Sequence, residues 1–347
     1  MVKTIDFRGA VQYNNHEQSR TFLTEANTMN WQSIQVNTIA DYIADAQFKV
    51  SDCYHTDFLD VSETISELSY LTHSYFRYYG KFPSKIAKYI IETLVNEQKI
   101  NPETDFIFDN YNGSGTTMVE AKIAGFHSGG IDINPFGVLA SNVKTYNYNV
   151  DKLKDIFSTL LLKIKSSSST DNQINFLLPN SLDEADLQGI FKINKQVYFD
   201  FPDIAKWFDE ETIHQLSAIK YFILAMPQDQ YRAFFALGFF AIIRRVSRAH
   251  DAEVRPHVNP KKRKRDAIEA FEKKITEMIS TMTSWNAVTT SKVLSQTTIC
   301  DNSDYSSVSN FISELSCQYS KKLGLVVSHP PYLNCFDYIP VYKLKFL

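Results

Sequence analysis

The sequence predicts an α/β protein in which a parallel sheet is interrupted by a long helical insert. Three observations lead there. Short β-rich runs at Phe106–Phe108, Ser128–Ile131, Thr297–Cys300 and Leu323–Val327 are separated by turns and helical stretches. A Gly-Ser-Gly turn stands between the first of these runs and a helix, giving a β-turn-α-β unit. The stretch from about 150 to 290 is mainly helical in pattern, and no internal repeat is visible.

Taken in order, residues 1–75 are polar, rich in Asn and Thr, and weakly periodic, so no chemistry is placed there. In "YYGKFPSKIAKYII", Pro83 and Ser84 start a helix on which Ile86, Tyr89, Ile90 and Leu94 recur at helical spacing, with Asn101-Pro102 as its end. The strand at Phe106–Phe108 leads through the glycine turn into a helix over Thr116–Ala124, closed by Gly125. The next strand ends in Asp132. Beyond it come the helical region, with a loop expected at Lys165–Asn172, and a strand ending at Asp301. The helix "VSNFISEL" and an apolar strand then deliver "SHPPY". The domain division is therefore 1–75, 76–148, 149–290 as the insert, and 291–347.

The 347 residues are 44% hydrophobic and 22% charged, enough for a substantial core. A net charge of −3 gives no global signature for a polyanion, so any nucleic-acid surface must be a local basic patch. Cys53, Cys300, Cys317 and Cys335 form no C-x-x-C pair, and the N-terminus carries no apolar leader, which implies free thiols and a cytoplasmic home. No metal site is expected. The most apolar segment, Phe234–Ile243, is too short to span a membrane and reads as a buried helix.

Two motifs carry the chemistry. In "FDNYNGSGTT", a strand ends in a glycine turn that opens a helix, so backbone N–H groups face a ligand at close range. Asp132 lies 19 residues beyond Gly113, near the spacing of about 20 at which an acid takes both hydroxyls of a ribose. The third glycine of the dinucleotide fingerprint is missing, so a nucleoside without a diphosphate fits better. In "SHPPY", Pro330 and Pro331 hold the chain extended at the tip of an apolar strand, where open α/β sheets place ligands. That tip suits a planar group carrying an exocyclic amine.

Together, "FDNYNGSGTTMVEAKIAGFHSGGIDINP" and "VVSHPPYLNCFDY" resemble the S-adenosylmethionine-dependent DNA amino-methyltransferases, which methylate cytosine N4 or adenine N6. The resemblance covers residues from about 75 to 140 and 290 to 347. It implies a Rossmann-like methyltransferase sheet with a large helical insert, lacking the C-terminal strands of the family. It implies S-adenosylmethionine as cofactor and double-stranded DNA as partner. Carried over by position, Asp109, Gly113 and Gly115 shape the methionine end of the cofactor site, and Asn110, Ser114, Thr116 and Thr117 also bind the cofactor. Asp132 and Ile133 hold the ribose side, Asp301 and Asn302 lie near the adenine, and Phe82 belongs to the segment that closes over the cofactor. Ser328, His329, Pro330, Pro331 and Tyr332 hold the everted base, since the amine is out of reach inside the stack. Asn110 replaces a usual proline. His329 stands where the family places Asp, Asn or Ser as hydrogen-bond acceptor, a role that a neutral histidine fills through one ring nitrogen.

The insert is the candidate for target recognition. Arg244, Arg245, Arg248 and the run Lys261, Lys262, Arg263, Lys264, Arg265 are its candidates for phosphate contact. Only 15 residues follow Tyr332, too few for the strands that family members place there. The expectation is a truncated or split enzyme whose last strand lacks a neighbour and calls for a second chain; replacement strands from residues 1–75 are the other possibility. The functional expectation is a site-specific DNA methyltransferase in a restriction-modification or phage-defence setting, with cytosine N4 ahead of adenine N6. An RNA amino-methyltransferase and a catalytically silent DNA-binding subunit are the rivals.

Overall fold

The computed structural model describes residues 3–6, 68–168, 204–251 and 253–331. Its centre is a sheet of five parallel strands: β1 (Lys3–Asp6), β2 (Asp105–Asp109), β3 (His127–Asp132), β4 (Ser295–Ile299) and β5 (Lys322–Ser328). Their spatial order is β1-β5-β2-β3-β4. All five residues of β2 are buried, as expected of a central parallel strand covered on both faces, and its "DFIFD" supplies a continuous apolar run between two acids.

Successive strands from β2 to β4 run outward to one side, and the chain then returns to lay β5 on the other side of β2. The order therefore reverses between β2 and β5, with Asp109 paired to Val327 at their carboxyl ends. In an open α/β sheet such a reversal leaves a crevice for a ligand.

Helix α1 (Ser84–Asn96) packs on α2 (Thr116–Ile123), and α2 and α3 (Pro135–Thr145) contact β3. On α1 the buried stripe is Ala87, Ile90, Ile91 and Leu94, while the expected Tyr89 faces outward. Asp132 sits before α3, where the Asn134 side chain caps the helix by accepting from the Phe136 N–H and Pro135 presets the first turn.

The helical insert contributes α4 (Val150–Ser168), α5 (Ile204–Trp207), α6 (Glu210–Leu224), α7 (Gln230–Val246) and α8 (Ala267–Val288). Helix α4 continues through Ser168, so the loop expected from Lys165 begins later; its remainder lies outside the described residues. The apolar segment Phe234–Ile243 is inside α7, with Phe234, Phe235, Leu237 and Ile243 fully buried against Phe271 and Trp285 of α8. This core continues onto α3 through Ala140 and Val143, and the rings of Phe136 and Phe240 meet edge to face at 4.9 Å. A smaller core lines the opposite face, where Phe311, Leu315 and Tyr319 of α9 (Tyr305–Tyr319) cover Phe106, Phe108 and Ile131. Among the described residues no helix is long and apolar enough to cross a membrane.

One expectation is corrected. Strand β5 is not left without a neighbour: β1 pairs with it in parallel, Lys3 opposite Leu325 through Asp6 opposite Ser328. The alternative source, the first 75 residues, supplies that strand, and backbone groups that water would otherwise have to satisfy are bonded within the sheet.

Candidate active site

The crevice at the strand reversal is a cleft of about 490 Å³. Its walls come from both sequence motifs. Asp109, Asn110, Gly113, Ser114 and Thr116 line it from β2 and the glycine turn, Asp132 and Ile133 from the end of β3, and Asp301 and Asn302 from the end of β4. His329, Pro330 and Pro331 line it from the tip of β5, and Phe82 from the segment ahead of α1. Gly115, Thr117 and Ser328 lie outside the lining, and Tyr332 lies outside the described residues.

The glycine turn is built by backbone requirement. Gly113 and Gly115 have φ of +52° and +78°, the left-handed region that L side chains rarely adopt. A Cβ on Gly115 would stand 2.3 Å from Ser141 Oγ, and one on Gly137 would stand 2.5 Å from the Gly113 carbonyl oxygen. So α3 approaches the turn as closely as backbone permits. From beneath, fully buried Lys144 donates through Nζ to the Ser114 carbonyl at 2.7 Å and to Ser114 Oγ at 3.1 Å.

Two carboxyl groups brace the turn. Asp109 accepts from Thr117 Oγ1 at 2.6 Å and from the Tyr111 N–H at 2.9 Å, which explains what Thr117 does away from the cleft wall. Burial pushes the Asp109 carboxyl up to about 7, against the lowering effect of those two bonds. Asp132 accepts the Gly113 N–H at 2.6 Å on one oxygen and the Asn134 N–H at 2.8 Å on the other. Its value is also raised by burial and lowered by those donors. Each oxygen retains a lone pair, so the pair of hydroxyls expected there still has acceptors.

Next to Asp109, Asn110 donates from Nδ2 to Asn302 Oδ1 at 3.2 Å, while its own Oδ1 is buried without a hydrogen-bond partner among the described residues. A buried amide oxygen left unpaired costs free energy until a donor arrives. His329 stacks on Phe82, with ring centroids 4.9 Å apart and planes inclined by 31°. Burial lowers the His329 pKa below 6.5, which keeps the imidazole neutral near pH 7.

Tyr78, Lys81 and Asn134 are among the lining residues that escaped the sequence reading. Tyr78 would crowd a Cβ placed on Gly113, at 3.3 Å from its ring, and accepts from Asn134 Nδ2 at 3.3 Å. The signal for them was their place in "YYGKFP" and in the Asn-Pro start of α3.

The basic candidates divide. Arg244 is buried and its guanidinium donates to the carbonyls of His250, Glu253 and Val254. These bonds hold Arg244 within its own loop. Lys262 likewise donates to the Arg244 and Ala249 carbonyls and to Asp251 Oδ1. Lys264 is paired with Asp209 and Glu211, Arg265 with Asp251, and Arg248 donates to the Ala205 carbonyl. Arg245, Lys261 and Arg263 are exposed, and their side chains make no hydrogen bond or ion pair among the described residues.

Residues 12–142 match the DNA methylase family of N6 and N4 amino-methyltransferases. Over 183 residues the chain is 30% identical to the type II methyltransferase M.MvaI of Kocuria varians, covering 53% of this chain and 36% of that protein. It is 38% identical over 96 residues to M.MjaII of Methanocaldococcus jannaschii, 28% of this chain and 17% of that one. It is 33% identical over 99 residues to M.BsoBI of Geobacillus stearothermophilus, 27% of this chain and 18% of that one. These alignments span about a third or less of the length of the curated relatives. No solved structure gives a significant match.

Proposed function

We propose that this chain, which carries the DNA methylase segment of the N6/N4 amino-methyltransferase family, methylates an exocyclic amine of a DNA base with S-adenosylmethionine as donor. The observation that carries the reading is the single cleft lined by both the Gly113–Thr116 turn and the His329-Pro330-Pro331 tip.

The cleft fits the donor by volume and chemistry. About 490 Å³ falls within the usual range of roughly 300–1,000 Å³ for small-molecule sites. Asp132 supplies acceptors for ribose hydroxyls, and the unpaired Asn110 Oδ1 awaits an N–H such as that of an adenine amine. The turn offers backbone at the methionine end. Bound there, S-adenosylmethionine supplies an electrophilic methyl group on a sulfonium.

The remaining work falls to the protein. The target amine's lone pair is delocalised into its ring, so an acceptor must pull its N–H out of plane and free the pair for attack. A ring nitrogen of neutral His329 and the Pro330 carbonyl are the acceptors at the β5 tip, and Phe82 fixes the plane of the imidazole. As the N–C bond forms at the expense of the methyl–sulfur bond, whose electron pair stays on sulfur, the amine sheds a proton that His329 is able to take. Tyr332 is assigned the face of the everted base. The Ser328 approach to Pro-Pro-Tyr favours cytosine N4 over adenine N6, and the relatives' type II names support a restriction-modification setting. Arg245, Lys261 and Arg263 are the phosphate contacts that remain available.

The test incubates the full chain with donor carrying a labelled methyl group and either duplex DNA or tRNA, followed by digestion to nucleosides. Label in N4-methylcytosine from DNA supports the reading as stated, and label in N6-methyladenine changes the base. Label in tRNA alone, or in neither, overturns it.

A further inference from the structure

The proposed methyl donor has one anionic group, the carboxylate of its methionine end. Lys81 is the only lysine or arginine among the described residues that line the cleft. It is half-buried, and its ammonium makes no hydrogen bond or ion pair among the described residues. Leaving a partly desolvated cation unpaired is costly.

The acids of the cleft and beside it take their hydrogen bonds from groups other than Lys81. Asp109 is held by Thr117 and Tyr111, Asp132 by Gly113 and Asn134, and Asp301 by the N–H and hydroxyl of Ser303. Glu120, the acid whose field reaches Lys81, is bonded at 2.5 Å by the Tyr70 hydroxyl and at 2.6 Å by His73 Nε2. A cation lines the wall of a ligand cleft, and no carboxylate among the described residues forms an ion pair with it.

We propose that Lys81 is the counter-ion that binds the carboxylate of the methyl donor and so selects amino-acid-bearing nucleosides over bare ones. The assignment rests on the methyl-donor reading above. Gly80 and Phe82 flank it on the same wall, so the segment that stacks on His329 also brings the charge.

The charged groups around Lys81 give the site a pH dependence. Burial lowers its pKa to about 8, Glu120 of α2 opposes that shift, and the positive charge of Lys81 is felt by His73 of the turn before α1 and by Lys144 of α3. A bound carboxylate favours the charged amine and raises its pKa, so at pH 8.5 binding takes up a proton.

The experiment is calorimetric titration of the full chain with S-adenosylhomocysteine and with 5′-methylthioadenosine, which shares the nucleoside and thioether but lacks the amino-acid end. Lys81→Met weakens the first by about tenfold or more and leaves the second within about twofold, and Lys81→Arg recovers part of the loss. In wild-type protein at pH 8.5, buffers of different ionisation enthalpy report proton uptake with the first ligand alone. Equal loss of both ligands, or no loss of either together with no proton uptake, overturns the assignment of Lys81. If wild-type protein binds neither nucleoside, the methyl-donor reading itself fails, a result separable from the other two.

Discussion

Under the proposed methyl transfer, the histidine before Pro330 makes the protonation state of one ring a condition for chemistry. His329 is partly buried against Phe82, and burial places its pKa below the ordinary 6.5. The sign follows: above that lowered value the ring is neutral and accepts the amine's N–H; below it both nitrogens are donors and no acceptor remains. The value of kcat/KM for methylation is expected to fall about tenfold per pH unit on the acid side, with the bend below pH 6.5. His329→Asn supplies an acceptor that does not titrate, so this variant keeps measurable activity and loses that acid limb, whereas His329→Ala loses activity across the range. A pH–rate profile of the three proteins decides it; an acid limb surviving in His329→Asn assigns the titration to another group. The residue type was legible in the sequence. Its ring plane and partial burial depend on Phe82, 247 positions away in the chain.

At the scale of elements, what could be read in advance was local. Strand β2 announces itself as an apolar run between acids, and the turn after it as two glycines that permit left-handed backbone. The order of neighbours was not local, and neither was the use made of each polar group. Lys81 and Arg244 are both cations beside chemistry-bearing segments, yet among the described residues one makes no ion pair or hydrogen bond and the other holds three carbonyls. Only packed neighbours distinguish them: the guanidinium of Arg244 lies 5.4 Å from the Tyr79 ring, on the segment that carries Lys81. The turn itself tolerates least. Gly115→Ala combines a φ of +78° with a Cβ 2.8 Å from the Ser141 Cα, so trimming the serine cannot relieve it. The expected loss is about 2–4 kcal/mol in urea denaturation, combining left-handed backbone strain with overpacking. The double variant Gly115→Ala, Ser141→Gly is expected to recover less than half. Full recovery would place the strain in the Ser141 side chain alone.

For the molecule as a whole, the sheet joins distant parts of the chain, and the smallest piece has the largest consequence. Four residues, Lys3–Asp6, cover the outer side of β5, the strand that carries the His329-Pro330-Pro331 tip. Their pairing is with residues more than three hundred positions away, Lys3 with Leu325, so no local pattern foretold it. Without β1 the hydrogen-bonding edge of an apolar parallel strand would face solvent, which is both a loss of ladder bonds and a template for association with another chain. Removal of residues 1–6 is therefore expected to lower the thermal midpoint by several degrees, on the scale of about 1–3 kcal/mol for a few lost backbone bonds. It is also expected to produce concentration-dependent light scattering and to weaken binding at the cleft, because the tip loses its lateral support. Binding of S-adenosylhomocysteine after deletion separates the two effects: a loss that tracks the drop in stability belongs to support of β5. An unchanged melt with clear solutions would mean that β5 does not depend on β1 for its cover.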